Sequence, residues 1–103
     1  MIVKNPKVCN SLEEVRNEID KIDEHIISLF SERHKFVEEI VRFKHDRDAI
    51  IAQERKEQVI LQRKKWAELK GLNAETFEKI YTLLVNSNIE HEMELLRKIK
   101  NNV

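Results

Sequence analysis

Apolar residues recur through the first third of the chain as Val15, Ile19, Ile22, Ile26 and Leu29, and Val37 and Ile40 prolong the stripe beyond Arg33. Spacings of three and four residues belong to one face of a helix. The start is marked at Ser11, which can cap the first turn while Glu14 reaches back to complete a capping box. No Gly or Pro interrupts the run before Lys44. The pattern therefore predicts one helix from residue 12 to about 45, roughly 50 Å long at ~1.5 Å per residue. Residues 45–53, HDRDAIIAQ, mix charge with a short apolar cluster and predict a connection. A second helix is expected from about Glu54 through Val59, Ile60, Arg63, Trp66 and Ala67. It ends at Lys70-Gly71, where the glycine can take a left-handed cap. Asn73 suits the N-cap of a third helix, which carries Phe77, Ile80, Tyr81, Leu84, Val85, Ile89, Leu95, Leu96 and Ile99. With one Gly and one Pro in 103 residues, strands and tight turns find little support. The expectation is an all-α, three-helix domain over 1–103, with 1–10 as a flexible N-terminus.

The first helix is too long for a compact chain of this size, whose radius of gyration would be near ~13 Å. Its far half would protrude and expose Ile, Leu and Phe side chains. A second copy that covers the protruding half resolves this, so an intertwined homodimer is expected. A break near His45 and an ordinary three-helix monomer is the alternative.

Polar residues stand in two of the apolar stripes. Arg33 and Lys44 are eleven residues apart, three helical turns to within about 20°, and so lie in line with Val37 and Ile40. On the third helix the series Phe77, Tyr81, Leu84, 88, 92, Leu95, Ile99 holds Asn88 and Glu92 as its fourth and fifth members. A cation on a core-facing stripe loses hydration and needs an anion beside it. Periodicity alone leaves two readings open: a buried ion pair of Arg33 or Lys44 with Glu92, or two walls of an anion-binding pocket. Arg16 lies seventeen residues before Arg33, about 100° round the helix. It cannot share a pocket with Arg33 in its own chain, although it could reach the pocket of a partner. Taken alone, an Arg in the second turn of a charged helix is a solvated surface residue.

Composition narrows the function further. The chain is 37% charged, but nineteen acidic and nineteen basic residues cancel, so no basic footprint points to nucleic acid. The apolar runs are too short to cross a membrane, and the opening MIVKNPKVCN lacks a signal-peptide core. With the single Cys9, which excludes an internal disulfide, this gives a cytoplasmic address. His45 with Asp48, and His91 with Glu94, have spacings that could fit a metal, but no second cluster accompanies either, so both read as solvated faces. Gly-rich phosphate loops, nucleophile elbows and Cys–His constellations are absent. No cofactor and no metal are expected.

The segment VRNEIDKIDEHIISLFSERHKFVEEIVRFK resembles the first helix of the all-α (AroQ-type) chorismate mutases and their relative isochorismate-pyruvate lyase. The residues that carry the resemblance are Arg16, Ile19–Asp20, Ile22–Asp23, Arg33, Lys44 and the Glu54–Arg55 pair, and RKKWAELKGLNAETFEKIY continues it into the third helix. The resemblance implies an intertwined dimer with two equivalent sites and a small dicarboxylate substrate, chorismate or isochorismate. It also implies that Arg33 and Lys44 come from one chain and Arg16 from the other. Glu92 falls where the family has Gln or Glu, and Asn88 at a pocket-lining position one turn earlier. Lys44, Glu92 and Arg33 are thereby implied as catalytic, and Arg16, Arg33 and Asn88 as substrate-binding.

The implied activity is the pericyclic rearrangement of chorismate to prephenate in aromatic amino-acid biosynthesis. The alternative is isochorismate-pyruvate lyase, which makes salicylate and pyruvate for siderophores. The short 45–53 connection, the VRFK ending of the first helix and the W-A-E-x-x-G-L run resemble that branch. Many mutases carry an Asp and an Arg in the connection before the second helix, whereas here Gln53 precedes Glu54 and Arg47 and Asp48 do not align with that pair. A third reading, a non-catalytic helical dimer, leaves Arg16, Arg33 and Lys44 without a reason to be charged.

Overall fold

A computed structural model describes residues 2–101, and among these every regular element is helical. Helix α1 spans Leu12–Glu39, α2 Arg47–Ile51, α3 Gln53–Leu69 and α4 Ala74–Asn101. Single turns of 3-10 helix form at Pro6–Val8 and Ile40–Arg42. None of the described helices is long and apolar enough to cross a membrane. The chain divides into two compact units, the first ending at Phe36 and the second beginning at Val37.

In the first unit, α1 begins as its sequence dictates. The Glu14 N–H donates to Ser11 Oγ at 3.1 Å. The Glu14 carboxylate turns back to accept from the Asn10 N–H at 2.7 Å, one residue before the partner a standard capping box uses. Glu18 is buried and ties the N-terminal segment to the helix by accepting from the Lys4 N–H at 3.2 Å. The stripe itself stays open: Val15, Ile19, Ile26 and Leu29 are all exposed, Leu29 by 55%.

The second unit is held by α4. The α3–α4 junction is a Schellman turn, with Leu72 N–H donating to Ala67 O at 2.9 Å and Gly71 N–H to Glu68 O at 3.1 Å, and Gly71 taking φ +77°. That geometry is the reason a glycine stands there. Asn73 caps α4 through the Thr76 N–H at 2.9 Å. Val59 and Ala67 bury the inner face of α3, and Lys64 pairs with Glu78 of α4 at 2.7 Å. The Arg63 guanidinium lies 4.7 Å from the Trp66 ring centroid and 6.0 Å from that of Tyr81. At the other end of α4, Val41, Ile50 and Leu96 form a small core, joined by Ile89, Met93 and Leu95.

The main departure from the sequence pattern is the end of α1. The α-helix stops at Glu39 and tightens into the 3-10 turn. Phe43 and Lys44 N–H groups both donate to Ile40 O, at 2.9 and 3.0 Å, which satisfies a carbonyl that a helix end would orphan. The expected connection also contains a helix of its own. Asp46 accepts from Ala49 N–H at 2.8 Å and starts the five residues of α2, which put Ile50 into the core.

Candidate active site

Each candidate residue owes its place to local packing. Asn88 and Glu92 follow one another by a single turn on α4 and are 8% and 4% exposed. Leu96 continues that side of the helix into the core. The inward side of α4 therefore changes from polar to apolar over two turns, and it buries a carboxyl group at Glu92. Burial of a carboxyl group is costly unless its environment is built for it.

Lys44 stands just beyond the 3-10 turn and is half-buried. That turn packs against α4, and its Val41 sits against Leu96. Lys44 is thus held three residues from an anchor on the helix that carries Asn88 and Glu92.

Arg16 and Arg33 both lie on α1, Arg16 exposed and Arg33 half-buried. Seventeen residues of helix separate them by ~25 Å, too far for both to grip one small dianion within a single chain. The structure thus puts Asn88 and Glu92 on the inward side of α4 and Lys44 three residues beyond Val41, which packs against that helix, while Arg16 stands apart from Arg33.

Two features near these residues were not legible in the sequence. The first is a hydrogen bond between His91 Nε2 and Glu38 Oε2 at 2.9 Å. It joins the last turn of α1 to α4 at the residue beside Glu92. Local spacing pairs His91 with Glu94 instead; but Glu94 pairs with Arg97, which holds the Glu94 carboxyl below its usual range and raises Arg97. Partners 53 positions apart leave no local signal.

The second is an open groove of about 570 Å³ beside α2. Ile51, Ile89 and Met93 line it, together with the charged Arg47, Arg97, Glu90 and Glu94. Ile89 and Met93 are about 100° round α4 from Asn88 and Glu92, and no candidate residue lines the groove. Arg55, at the first turn of α3, is exposed and donates to Gln58 Oε1 at 3.1 Å.

A family model described as chorismate mutase type II matches residues 15–93, a span that contains Arg16, Arg33, Lys44, Asn88 and Glu92. The chain is also similar to the isochorismate pyruvate lyase of Pseudomonas aeruginosa, with 31% identity over 98 residues, 95% of this chain and 97% of that protein.

Proposed function

Because the chain belongs to the chorismate mutase type II family, we propose that it is a chorismate mutase, converting chorismate to prephenate. The observation that carries the reading is the concentration of buried polar groups on an otherwise apolar helix side, Asn88 and Glu92, next to the anchored turn that presents Lys44.

The reaction suits these residue types. An ether C–O bond breaks while a C–C bond forms, so neither a nucleophile nor a proton acceptor is required. Catalysis consists of holding the enolpyruvyl chain over the ring and stabilising the negative charge that grows on the ether oxygen. Guanidinium forks bind carboxylates bidentately, which is the role of Arg33 and of Arg16 from a second copy. Lys44 faces the ether oxygen, Asn88 lines the pocket, and Glu92 donates a hydrogen bond in its protonated form.

The second copy is supported by the open stripe of α1. Val15, Ile19, Ile26 and Leu29 run along a helix of 28 residues, and an uncovered apolar row of that kind marks an interaction surface. A homodimer covers it with its own equivalent.

Isochorismate-pyruvate lyase is a second reading, favoured by the near full-length similarity to the Pseudomonas aeruginosa lyase. It breaks an ether bond of the same kind and releases pyruvate. Purified protein offered chorismate and isochorismate in separate ultraviolet assays decides between them. Prephenate from chorismate at the higher kcat/KM supports the mutase. Salicylate and pyruvate at the higher kcat/KM overturn it in favour of the lyase, and turnover of neither overturns both.

A further inference from the structure

Glu38 and His91 lie outside the set of residues expected to touch substrate, yet Glu38 falls between Arg33 and Lys44 and His91 between Asn88 and Glu92. His91 is the covalent neighbour of Glu92 and stands three residues after Asn88. Glu38 stands six residues before Lys44, between Val37 and Val41, which are both buried. Their 2.9 Å contact thus joins the segment that leads to Lys44 to the helix turn that carries Asn88 and Glu92.

The position of the contact along α1 has a consequence for register. Between Glu38 and Lys44 the backbone changes from α to 3-10 at Ile40. A 3-10 turn rises ~2.0 Å per residue against ~1.5 Å in an α-helix. Lys44 is therefore carried outward from the fixed end of α1 by a turn whose axial placement must be set from one side. The apolar contacts around it, Val41 and Ile50 with Leu96, resist separation but slide readily, because burial of apolar surface has no direction. A hydrogen bond between a carboxylate and an imidazole does have direction and a narrow distance range.

We propose that Glu38 and His91 form a positioning pair that sets the axial register of the Lys44 turn on α4, and with it the separation of Lys44 from Glu92. The proposal rests on the reading of Lys44 and Glu92 as members of the active site. Both side chains are partly exposed, 35% for His91 and 43% for Glu38, so the pair contributes little to stability. Placement is far more sensitive, since an error of ~1 Å at a reacting group can cost ~100-fold in rate. The pair thus acts on turnover and leaves the fold nearly unchanged.

The test is a double-mutant cycle of Glu38→Ala and His91→Ala, with Glu38→Gln as the conservative variant and Lys44→Ala in parallel. Each single alanine variant lowers kcat by about 10-fold, keeps KM within about 3-fold, and leaves the thermal midpoint near that of the wild type. The double variant is no slower than the slower single, because one interaction is lost once. Glu38→Gln, which keeps a hydrogen-bond acceptor at the same place, recovers most of the rate. Wild-type kcat in either alanine variant, additive losses, or no recovery in Glu38→Gln overturns the positioning role. Full turnover in Lys44→Ala overturns the site reading instead.

A readout independent of turnover completes the test: the acetylation rate of Lys44, followed by mass spectrometry, changes in Glu38→Ala relative to the wild type. An unchanged rate overturns the proposal even where no substrate is turned over.

Discussion

Asn88 and Glu92 stand one helical turn apart on α4, and both are buried where the sequence stripe would place leucines. A buried amide beside a buried carboxyl group is a poor device for stability, since apolar residues of similar volume would pack there at no desolvation cost. Under the proposed function the arrangement serves as a polar pocket wall. Its chemistry depends on the protonation of Glu92. A carboxylic acid donates a hydrogen bond to a developing oxyanion, whereas a carboxylate repels it.

Turnover is therefore expected to fall as pH rises, and Glu92→Gln, a permanent donor of the same shape, is expected to flatten that fall. The measurement is kcat against pH for both proteins. A wild-type rate that does not change with pH removes Glu92 from the chemistry.

Much of the fold is legible in the sequence because its signals are local. The Ser11–Glu14 cap, the Gly71 turn and the Asn73 cap all form where short-range hydrogen bonding predicts. The end of α1 was less legible, because Val37, Ile40 and Val41 keep a helical spacing through the change from α to 3-10 geometry. Helix α2 was hidden in a charged connection whose only marker is Asp46 as N-cap. The polar stripe positions were visible from periodicity alone, since Asn88 and Glu92 interrupt an apolar series. The Glu38–His91 pair was invisible for the opposite reason: only the tertiary fold brings those positions together.

Ala52 has φ 39° and ψ 61° at the junction of α2 and α3, a left-handed conformation that costs a side-chain-bearing residue about 1–2 kcal/mol. Glycine removes that strain, while its extra freedom in the unfolded chain offsets about 0.5–1 kcal/mol. Ala52→Gly is expected to be stabilising by up to about 1 kcal/mol, and Ala52→Val to be destabilising by more than that, because a β-branched side chain fits this region worst. Urea midpoints at constant slope test both; a stabilising Ala52→Val would contradict the backbone argument.

Glu18 supplies a pH dependence whose sign is fixed. Its carboxyl accepts from Lys21 Nζ at 3.0 Å and from the Lys4 N–H at 3.2 Å. The Lys21 hydrogen bond, followed by that from Lys4, holds it below the ordinary carboxylate range. A carboxyl group more acidic in the folded than in the unfolded chain adds stability above its unfolded value, and that stability is lost as pH falls through the folded value. Wild-type protein should lose thermal stability on acidification below about pH 5 more steeply than Glu18→Gln. Parallel midpoint-versus-pH curves for the two proteins would show that Glu18 contributes nothing to the dependence.

The ~25 Å of helix between Arg16 and Arg33 makes the strongest demand on the assembly. If Arg16 serves the pocket of a second copy, then Arg16→Ala and Lys44→Ala damage complementary halves of a shared site. Each variant alone is expected to lose most of its turnover, since removal of a group that stabilises transition-state charge costs about 10²–10³-fold. Unfolding a mixture of equal amounts and refolding it forms mixed dimers, in which one of the two sites has both defects and the other has neither. Random pairing places half of the chains in such dimers, so the mixture recovers about a quarter of the wild-type rate. Sites assembled within single chains would recover nothing on mixing. The open stripe of Val15, Ile19, Ile26 and Leu29 makes recovery on mixing the expected outcome, because a second copy docked on that stripe would lie on the same helix that carries Arg16.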